Sequence, residues 1–217
     1  MTKSLTSKER AQSHAEEIAN SLSHGIAFLA TVAVSPVLIV SAVQHFSPAS
    51  IVGASVFAFT MMLLYITSAF YHILPASTAK RVFHILDHGA IFLLIAGTYT
   101  PFTLGVLRGA WGWTLFGLVW GIAAVGVVLK SIGGVRYKKL STLLYLAMGW
   151  LIIIAVKPLW LNMPSWGLFW LAAGGAAYTV GVGFYAAKRI PYAHFIWHLF
   201  VITGTACHFV AVLRYAA

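Results

Sequence analysis

The feature that most constrains this chain is a series of seven apolar stretches, each about as long as a membrane-spanning helix. A helix needs about 20 mostly apolar residues to cross a bilayer. The stretches cover approximately residues 20–43, 50–74, 82–106, 111–129, 140–159, 166–187 and 193–213. They are continuous, whereas the strands of a membrane barrel alternate over about ten residues. With only 8% charged residues, against about 25% in soluble domains, the sequence predicts an all-α integral membrane protein, a single seven-helix domain over residues 1–217.

The basic residues predict how the bundle is oriented. Eleven of them share one side: Lys3, Lys8, Arg10, Lys80, Arg81, Lys130, Arg136, Lys138, Lys139, Lys188 and Arg189. The other side has Arg108, Lys157 and Arg214. Because cytoplasmic loops carry the excess of Lys and Arg, we expect a cytoplasmic N-terminus, with a tail over residues 1–19, and a C-terminus outside. The net charge of +10 therefore indicates loop anchors beside anionic lipid and does not indicate a nucleic-acid partner. The polar N-terminus does not resemble a removable signal peptide.

Histidine is unusually frequent for a membrane protein, with nine residues against four acidic ones. Ionisable groups inside a membrane are costly and tend to be functional. Six of the nine lie near the predicted cytoplasmic ends of their spans: His24, His72, His84, His88, His194 and His198. This gathering at one membrane face predicts a functional site there.

Three of these histidines have the pattern of a zinc site. His194 and His198 are four residues apart and project from the same face of a helix, a spacing at which two imidazoles can bind one metal ion. Interfacial histidines with no ligand would look the same in sequence. His72 lies at the same depth on another span. Three imidazoles with an open fourth position are typical of catalytic zinc, which lowers the pKa of bound water.

Asp87 and Ser68 lie at the same level as the three histidines. A lone carboxylate facing lipid would be costly, so we expect Asp87 to face the bundle interior and to hold or deprotonate a zinc-bound water. The alternative is that Asp87 is a helix N-cap, and the two roles are compatible. Ser68, one turn deeper than His72, is expected to hydrogen-bond the water or a substrate oxygen.

Glu17, Asn20 and His24 form a second polar group, because their spacings of three and four align them on one helical face. We expect a polar network that enters the bundle, with His88 as a further candidate member. Such a face is more often structural than catalytic, so a supporting role is the most that the pattern indicates.

Small residues predict close packing between helices. Gly117 and Gly121 form a G-x-x-x-G pair, and Gly174, Gly175, Gly181 and Gly183 line the sixth stretch. Helices approach closely at such positions. Simple packing, with no functional role, is the interpretation that we prefer.

Taken together, the motifs are similar to those of a known family. They are Glu17-x-x-Asn20-x-x-x-His24-Gly25, Ser68-x-x-x-His72, Asp87-His88-Gly89, Thr98-Tyr99-Thr100-Pro101-Phe102 and His194-x-x-x-His198. Over essentially its whole length the chain resembles the hemolysin III family, the bacterial branch of the progestin and adiponectin Q receptors, which is related to alkaline ceramidases. The resemblance implies Zn²⁺ bound by His72, His194 and His198, with Asp87 and Ser68 near the metal water. It also implies a bacterial plasma membrane location and roles in membrane lipid composition and fluidity.

Several functions are compatible with these residues. The leading one is a zinc-dependent hydrolase that cleaves an amide or ester bond of a membrane lipid, as the ceramidase resemblance implies. A non-enzymatic homeostasis or sensor protein with a structural zinc, and a cytolysin, are the alternatives. A bis-histidine haem carrier using His24, His72 and His88 also remains open at this point.

Overall fold

The seven-helix prediction is confirmed by the structure, a computed structural model that describes residues 10–45, 47–134 and 137–216. Within these residues every regular element is helical. The membrane-length helices are span 1 (His14–His45), span 2 (Pro48–Ile73), span 3 (Thr78–Leu104), span 4 (Gly109–Gly133), span 5 (Lys138–Asn162), span 6 (Ser165–Ala186) and span 7 (Ala193–Tyr215). Span 5 is composite, with a 3₁₀ stretch at Leu151–Ala155 between two α-helical parts.

Local signals set the ends of several spans. Pro48 opens span 2 and Ser77 caps span 3 by accepting a hydrogen bond from the Lys80 amide at 3.1 Å. Gly134 follows span 4 with a φ of +56°, a value that favours glycine. Span 1 begins earlier than the apolar pattern indicates, so residues 14–19 of the expected tail are helical.

The outer surface of the bundle is apolar, as a membrane protein requires. On span 1, for example, Leu22, Ile26 and Leu29 are 58%, 66% and 67% exposed. In water, an apolar surface this extensive would cause aggregation, whereas lipid accommodates it. Of the basic residues behind the orientation, Lys3, Lys8 and Arg136 lie outside the described residues, and the orientation itself stays a prediction.

Spans 2 and 3 approach closely through small residues. A Cβ at Gly53 would lie 2.6 Å from the Pro101 Cα, and one at Gly97 would collide with Thr60. The packing prediction is wrong for Gly117, Gly121 and Gly183, because no described atom outside their own helix segment lies within 4 Å of a Cβ built at any of these positions. The tight contact between spans 2 and 3 helps to place Ser68 and Asp87 on the walls of one cavity.

Candidate metal centre

His72, His194 and His198 converge at one end of the bundle. One ring nitrogen from each lies within 4.8 Å of the others, so this group could hold a metal ion. His72 comes from span 2, and the other two come from successive turns of span 7. His72 and His198 are buried, and His194 is partly exposed. The structure thus brings together the three histidines that were predicted as ligands, and metal binding by them stays a prediction.

Glu17 fixes the orientation of His72. Its Oε2 lies 2.8 Å from His72 Nδ1, and its Oε1 lies 3.5 Å from Lys80 Nζ. A carboxylate can only accept here, so Nδ1 carries the proton and donates it. The opposite nitrogen, Nε2, is buried and without a hydrogen-bond partner in the described part of the chain. This is the carboxylate–histidine arrangement that orients metal ligands, and it leaves one lone pair free for a cation.

Asn20 and Ser23 likewise fix the orientation of His198, through a backbone carbonyl and a hydroxyl. His198 Nδ1 donates to the Asn20 carbonyl oxygen at 3.2 Å, and Ser23 Oγ lies 3.0 Å from the same nitrogen. Ser23 Oγ itself donates to the Asn20 carbonyl at 2.8 Å. The Nε2 atom of His198 is therefore the one available to a ligand. Span 1 thus supplies the groups that orient two of the three imidazoles.

Glu17 and Asn20 thus contact two candidate metal ligands directly, whereas the sequence indicated only a supporting polar network. The spacing placed them on one helical face, but it could not show that this face meets His72 and His198. Ser23 was missed altogether, although it lies next to His24 within the same motif.

A Glu17→Gln substitution is expected to weaken metal binding roughly 10- to 100-fold, the usual effect of removing the partner of a metal-ligating histidine. Glutamine keeps the shape but replaces a charged acceptor by a neutral one. The measurement is zinc affinity by competition with a chelator. Glu16→Gln is the matched control, because Glu16 contacts Arg10 and the Tyr192 amide and not His72. Equal zinc affinities for the two variants would contradict the orienting role of Glu17.

The N-cap interpretation of Asp87 is wrong. Span 3 begins at Thr78 with Ser77 as its cap, so Asp87 lies in the interior of the helix. Even the apolar stretch predicted from the sequence begins at residue 82, five residues before Asp87, which is already too far into a helix for a cap. Asp87 is 7% exposed, and its Oδ2 lies 3.4 Å from His88 Nδ1. A buried carboxylate inside a membrane helix is costly unless it is paired or functional.

Ser68 and His24 contribute polar atoms that nothing in the described structure satisfies. Ser68 is 1% exposed and its Oγ has no hydrogen-bond partner, and the same holds for both ring nitrogens of His24. The His24 ring stacks on His198 with a centroid separation of 3.6 Å. Buried polar groups are normally hydrogen-bonded to protein or to water, so these atoms mark a place where a ligand or a water molecule can supply the missing partners.

An apolar cavity of about 110 Å³ extends from these polar residues. Asp87, Ser68, His24, His194 and His198 line it at one end. The remaining walls are mostly apolar side chains of spans 3, 5, 6 and 7, among them Leu94, Ile95, Leu146, Val182 and Val201. The site therefore combines a chamber that suits a hydrocarbon chain with a polar end that includes two of the three candidate metal ligands.

The fold and this site define a class: a multi-pass membrane protein of seven helices whose interior contains a candidate three-histidine centre. Comparison with known proteins then gives the family. The sequence profile described as "Haemolysin-III related" matches residues 12–209. The chain belongs to this haemolysin-III family, as its motifs indicated.

The chain is similar to proteins of bacteria and of animals. The chain is 44% identical to Hemolysin-3 of Bacillus cereus over 200 residues, which are 92% of this chain and 91% of that one. It is 46% identical to the Hemolysin-3 homolog of Bacillus subtilis (strain 168), with 92% and 94% covered. A human relative, Monocyte to macrophage differentiation factor, is 32% identical over 174 residues, with 76% and 70% covered. No solved structure matches the chain.

Proposed function

We propose that this protein is a zinc-dependent hydrolase that cleaves an amide or ester bond of a membrane lipid. The observation that carries the proposal is a juxtaposition at the polar end of an apolar cavity. There, two of the three clustered histidines face the same space as a buried carboxylate, Asp87, and an unsatisfied hydroxyl, Ser68. An acyl chain suits the apolar walls, and an amide or ester carbonyl suits the polar end.

The donor set fits zinc better than magnesium or calcium. Three neutral imidazoles suit zinc, whereas magnesium and calcium prefer oxygen ligands. The fit rests on the unpartnered Nε2 of His72 and on the bonds that fix the Nδ1 atoms of His72 and His198. When bound, zinc supplies a Lewis acid and lowers the pKa of a water toward neutrality.

The residues of the chain perform the remaining chemistry. Asp87 accepts a proton from the attacking water and returns it to the leaving amine or alcohol, acting first as base and then as acid. Ser68 donates a hydrogen bond to the substrate carbonyl oxygen. The water oxygen bonds to the carbonyl carbon and the bond to nitrogen or oxygen breaks, which yields a fatty acid and an amine or alcohol. The apolar walls hold the acyl chain and exclude bulk water.

The expected orientation of the bundle determines on which side of the membrane this reaction would take place. With a cytoplasmic N-terminus, the histidine cluster lies at the cytoplasmic side of a bacterial plasma membrane, within reach of inner-leaflet lipids. Hydrolysis there would change lipid composition, which is the route by which we propose that the protein affects membrane fluidity.

A second candidate function is non-enzymatic, with a zinc ion that joins spans 2 and 7 in a homeostasis or sensor protein. The supporting observation is that the candidate ligands come from two helices far apart in sequence. This hypothesis predicts a large loss of thermal stability on metal removal and no turnover of any lipid.

The test is to purify the protein in detergent, measure zinc by elemental analysis and assay fatty-acid release from lipid amides and esters. We expect about one zinc per chain. Removal with a strong chelator is expected to abolish release, and added zinc is expected to restore it. Stoichiometric zinc with no metal-dependent release from any lipid tested would contradict the hydrolase and leave the structural site.

A further inference from the structure

The apolar cavity has a further buried imidazole in its wall, far from the histidine cluster. His208 of span 7 lines this cavity and is 9% exposed. It lies ten residues beyond His198 on the same helix, a separation of about 15 Å along the helix axis. The cavity therefore reaches from a candidate metal ligand at one end to a second polar group at the other.

The hydrogen bond of His208 determines which of its two ring nitrogens is available. Nε2 lies 3.2 Å from the Leu171 carbonyl oxygen. A carbonyl oxygen can only accept, so Nε2 carries the ring proton. A charged imidazole is costly inside a membrane, so the ring is neutral and Nδ1 has a lone pair and no hydrogen. Nδ1 is buried and has no hydrogen-bond partner among the residues that the structure describes.

The packing of the ring turns Nδ1 away from span 6. A Cβ built at Gly174 would lie 2.3 Å from both Cδ2 and Nε2 of His208, so this edge of the ring lies against the backbone of span 6. Nδ1 is the ring atom opposite that edge. Because His208 forms part of the cavity wall, a group that occupies the cavity beside the ring can supply the partner that Nδ1 lacks.

Tyr178 provides a second hydrogen-bond acceptor next to His208. It also lines the cavity, and its ring centroid lies 5.6 Å from that of His208. Its hydroxyl lies 2.7 Å from Thr205 Oγ1, and Thr205 donates its own hydrogen to the Val201 carbonyl at 2.8 Å. Tyr178 must therefore donate to Thr205. His208 and Tyr178 thus both offer lone pairs, and neither has a hydrogen to give to a ligand.

The geometry points to a lipid substrate whose acyl chain carries a hydroxyl group near its twelfth carbon. A hydroxyl can donate to His208 Nδ1, whereas a plain hydrocarbon chain leaves this buried acceptor unsatisfied, which is costly. An extended chain advances about 1.3 Å per carbon, because C–C bonds of about 1.5 Å are inclined to its axis. With the carbonyl at the level of His198, about 15 Å then corresponds to roughly 12 carbons. The inference rests on the proposed function and narrows its substrates to hydroxylated lipids.

The test measures binding without turnover. Full-length protein in detergent is treated with EDTA, and the Kd is measured for three fatty acids, which are the product class of the proposed reaction. The probes are octadecanoic acid, its 12-hydroxy derivative and its 12-oxo derivative. The oxo group is polar at the same position but has no hydrogen to donate. We expect the hydroxy acid to bind about three- to tenfold more tightly than either of the others, the usual net strength of one hydrogen bond.

A His208→Phe variant tests whether this preference depends on His208. Phenylalanine keeps an aromatic ring and removes the acceptor, so the preference for the hydroxy acid should fall below about twofold. His84→Phe is the matched control, because His84 lines a neighbouring cavity and not the apolar one. It should keep the full preference. Each preference is a ratio measured on one protein, so differences in stability between variants do not affect it, and the comparison on the wild type needs no variant.

Four outcomes would overturn the inference. Equal affinity for the hydroxy acid and the plain acid would mean that a water molecule satisfies His208. Equal affinity for the hydroxy and oxo acids would mean that no donor is required. A preference retained by His208→Phe would mean that the hydroxyl binds elsewhere, and no binding of any acid would remove the acyl chain from the cavity. Lipid hydrolysis without a hydroxyl preference would contradict this inference alone, whereas a hydroxyl preference without hydrolysis would contradict only the proposed enzyme.

Discussion

A His194→Ala protein is expected to lose its zinc while it retains its fold. His194 supplies one of three candidate ligands and is only partly buried, on a wall that the apolar cavity shares with a second, neighbouring cavity. Its removal therefore leaves a small space that water can enter. Loss of the partner of a metal ligand alone weakens binding about 10- to 100-fold. Loss of a ligand itself should exceed that, so zinc per chain should fall from about one to near zero after dialysis.

The matched control is His208→Ala, the same substitution on the same helix. His208 lies fourteen residues further along span 7, about 21 Å along the helix axis, and its Nε2 lies 3.2 Å from the Leu171 carbonyl. We expect this variant to retain stoichiometric zinc even if its Tm falls. Zinc retained by His194→Ala at the wild-type stoichiometry, or lost equally from both variants, would contradict the three-histidine centre.

The number of spans and their approximate positions along the chain were predictable, because the hydrocarbon core of a membrane requires helices of a certain length and an apolar composition. The boundaries were less predictable where a helix extends beyond the hydrocarbon. Residues 14–19 of span 1 and the first turn of span 3 are helical and carry charged side chains. Hydropathy is a weak guide to such extensions, because residues in them need not be apolar.

The sequence predicted the level in the membrane at which the site residues lie. It predicted less well which of their side chains are in contact. His72, His194 and His198 share a level in the membrane, and the i, i+4 rule places two of them on one face. The rotation of span 1 about its axis is set by packing against several neighbours at once, which no local pattern specifies. That rotation decides that Glu17 meets His72 and that Asn20 meets His198. In the same way, local spacing marks Gly117 and Gly121 as a packing pair, although a Cβ at either position would meet nothing within 4 Å in the described part of the chain.

An Asp87→Asn protein is expected to bind zinc normally and to lose nearly all lipid hydrolysis. Asparagine fills the same space but cannot accept a proton from water, and general acid–base catalysis contributes about 10²- to 10⁴-fold to a rate. Asp87 is not a member of the three-histidine group, so zinc per chain should remain near one. The measurement is kcat for fatty-acid release, with zinc content determined on the same sample.

Thr98→Val on the same span is the matched control for this loss. Thr98 lines the same cavity, eleven residues beyond Asp87, and its hydroxyl donates to the Leu94 carbonyl of its own helix. Valine keeps the shape without the hydroxyl, so kcat should change by less than about tenfold. A fall in kcat of similar size for both variants would mean that the cavity is sensitive to any polar change. A zinc-loaded Asp87→Asn protein with full turnover would exclude Asp87 as the proton carrier, because asparagine has no carboxylate to accept the proton.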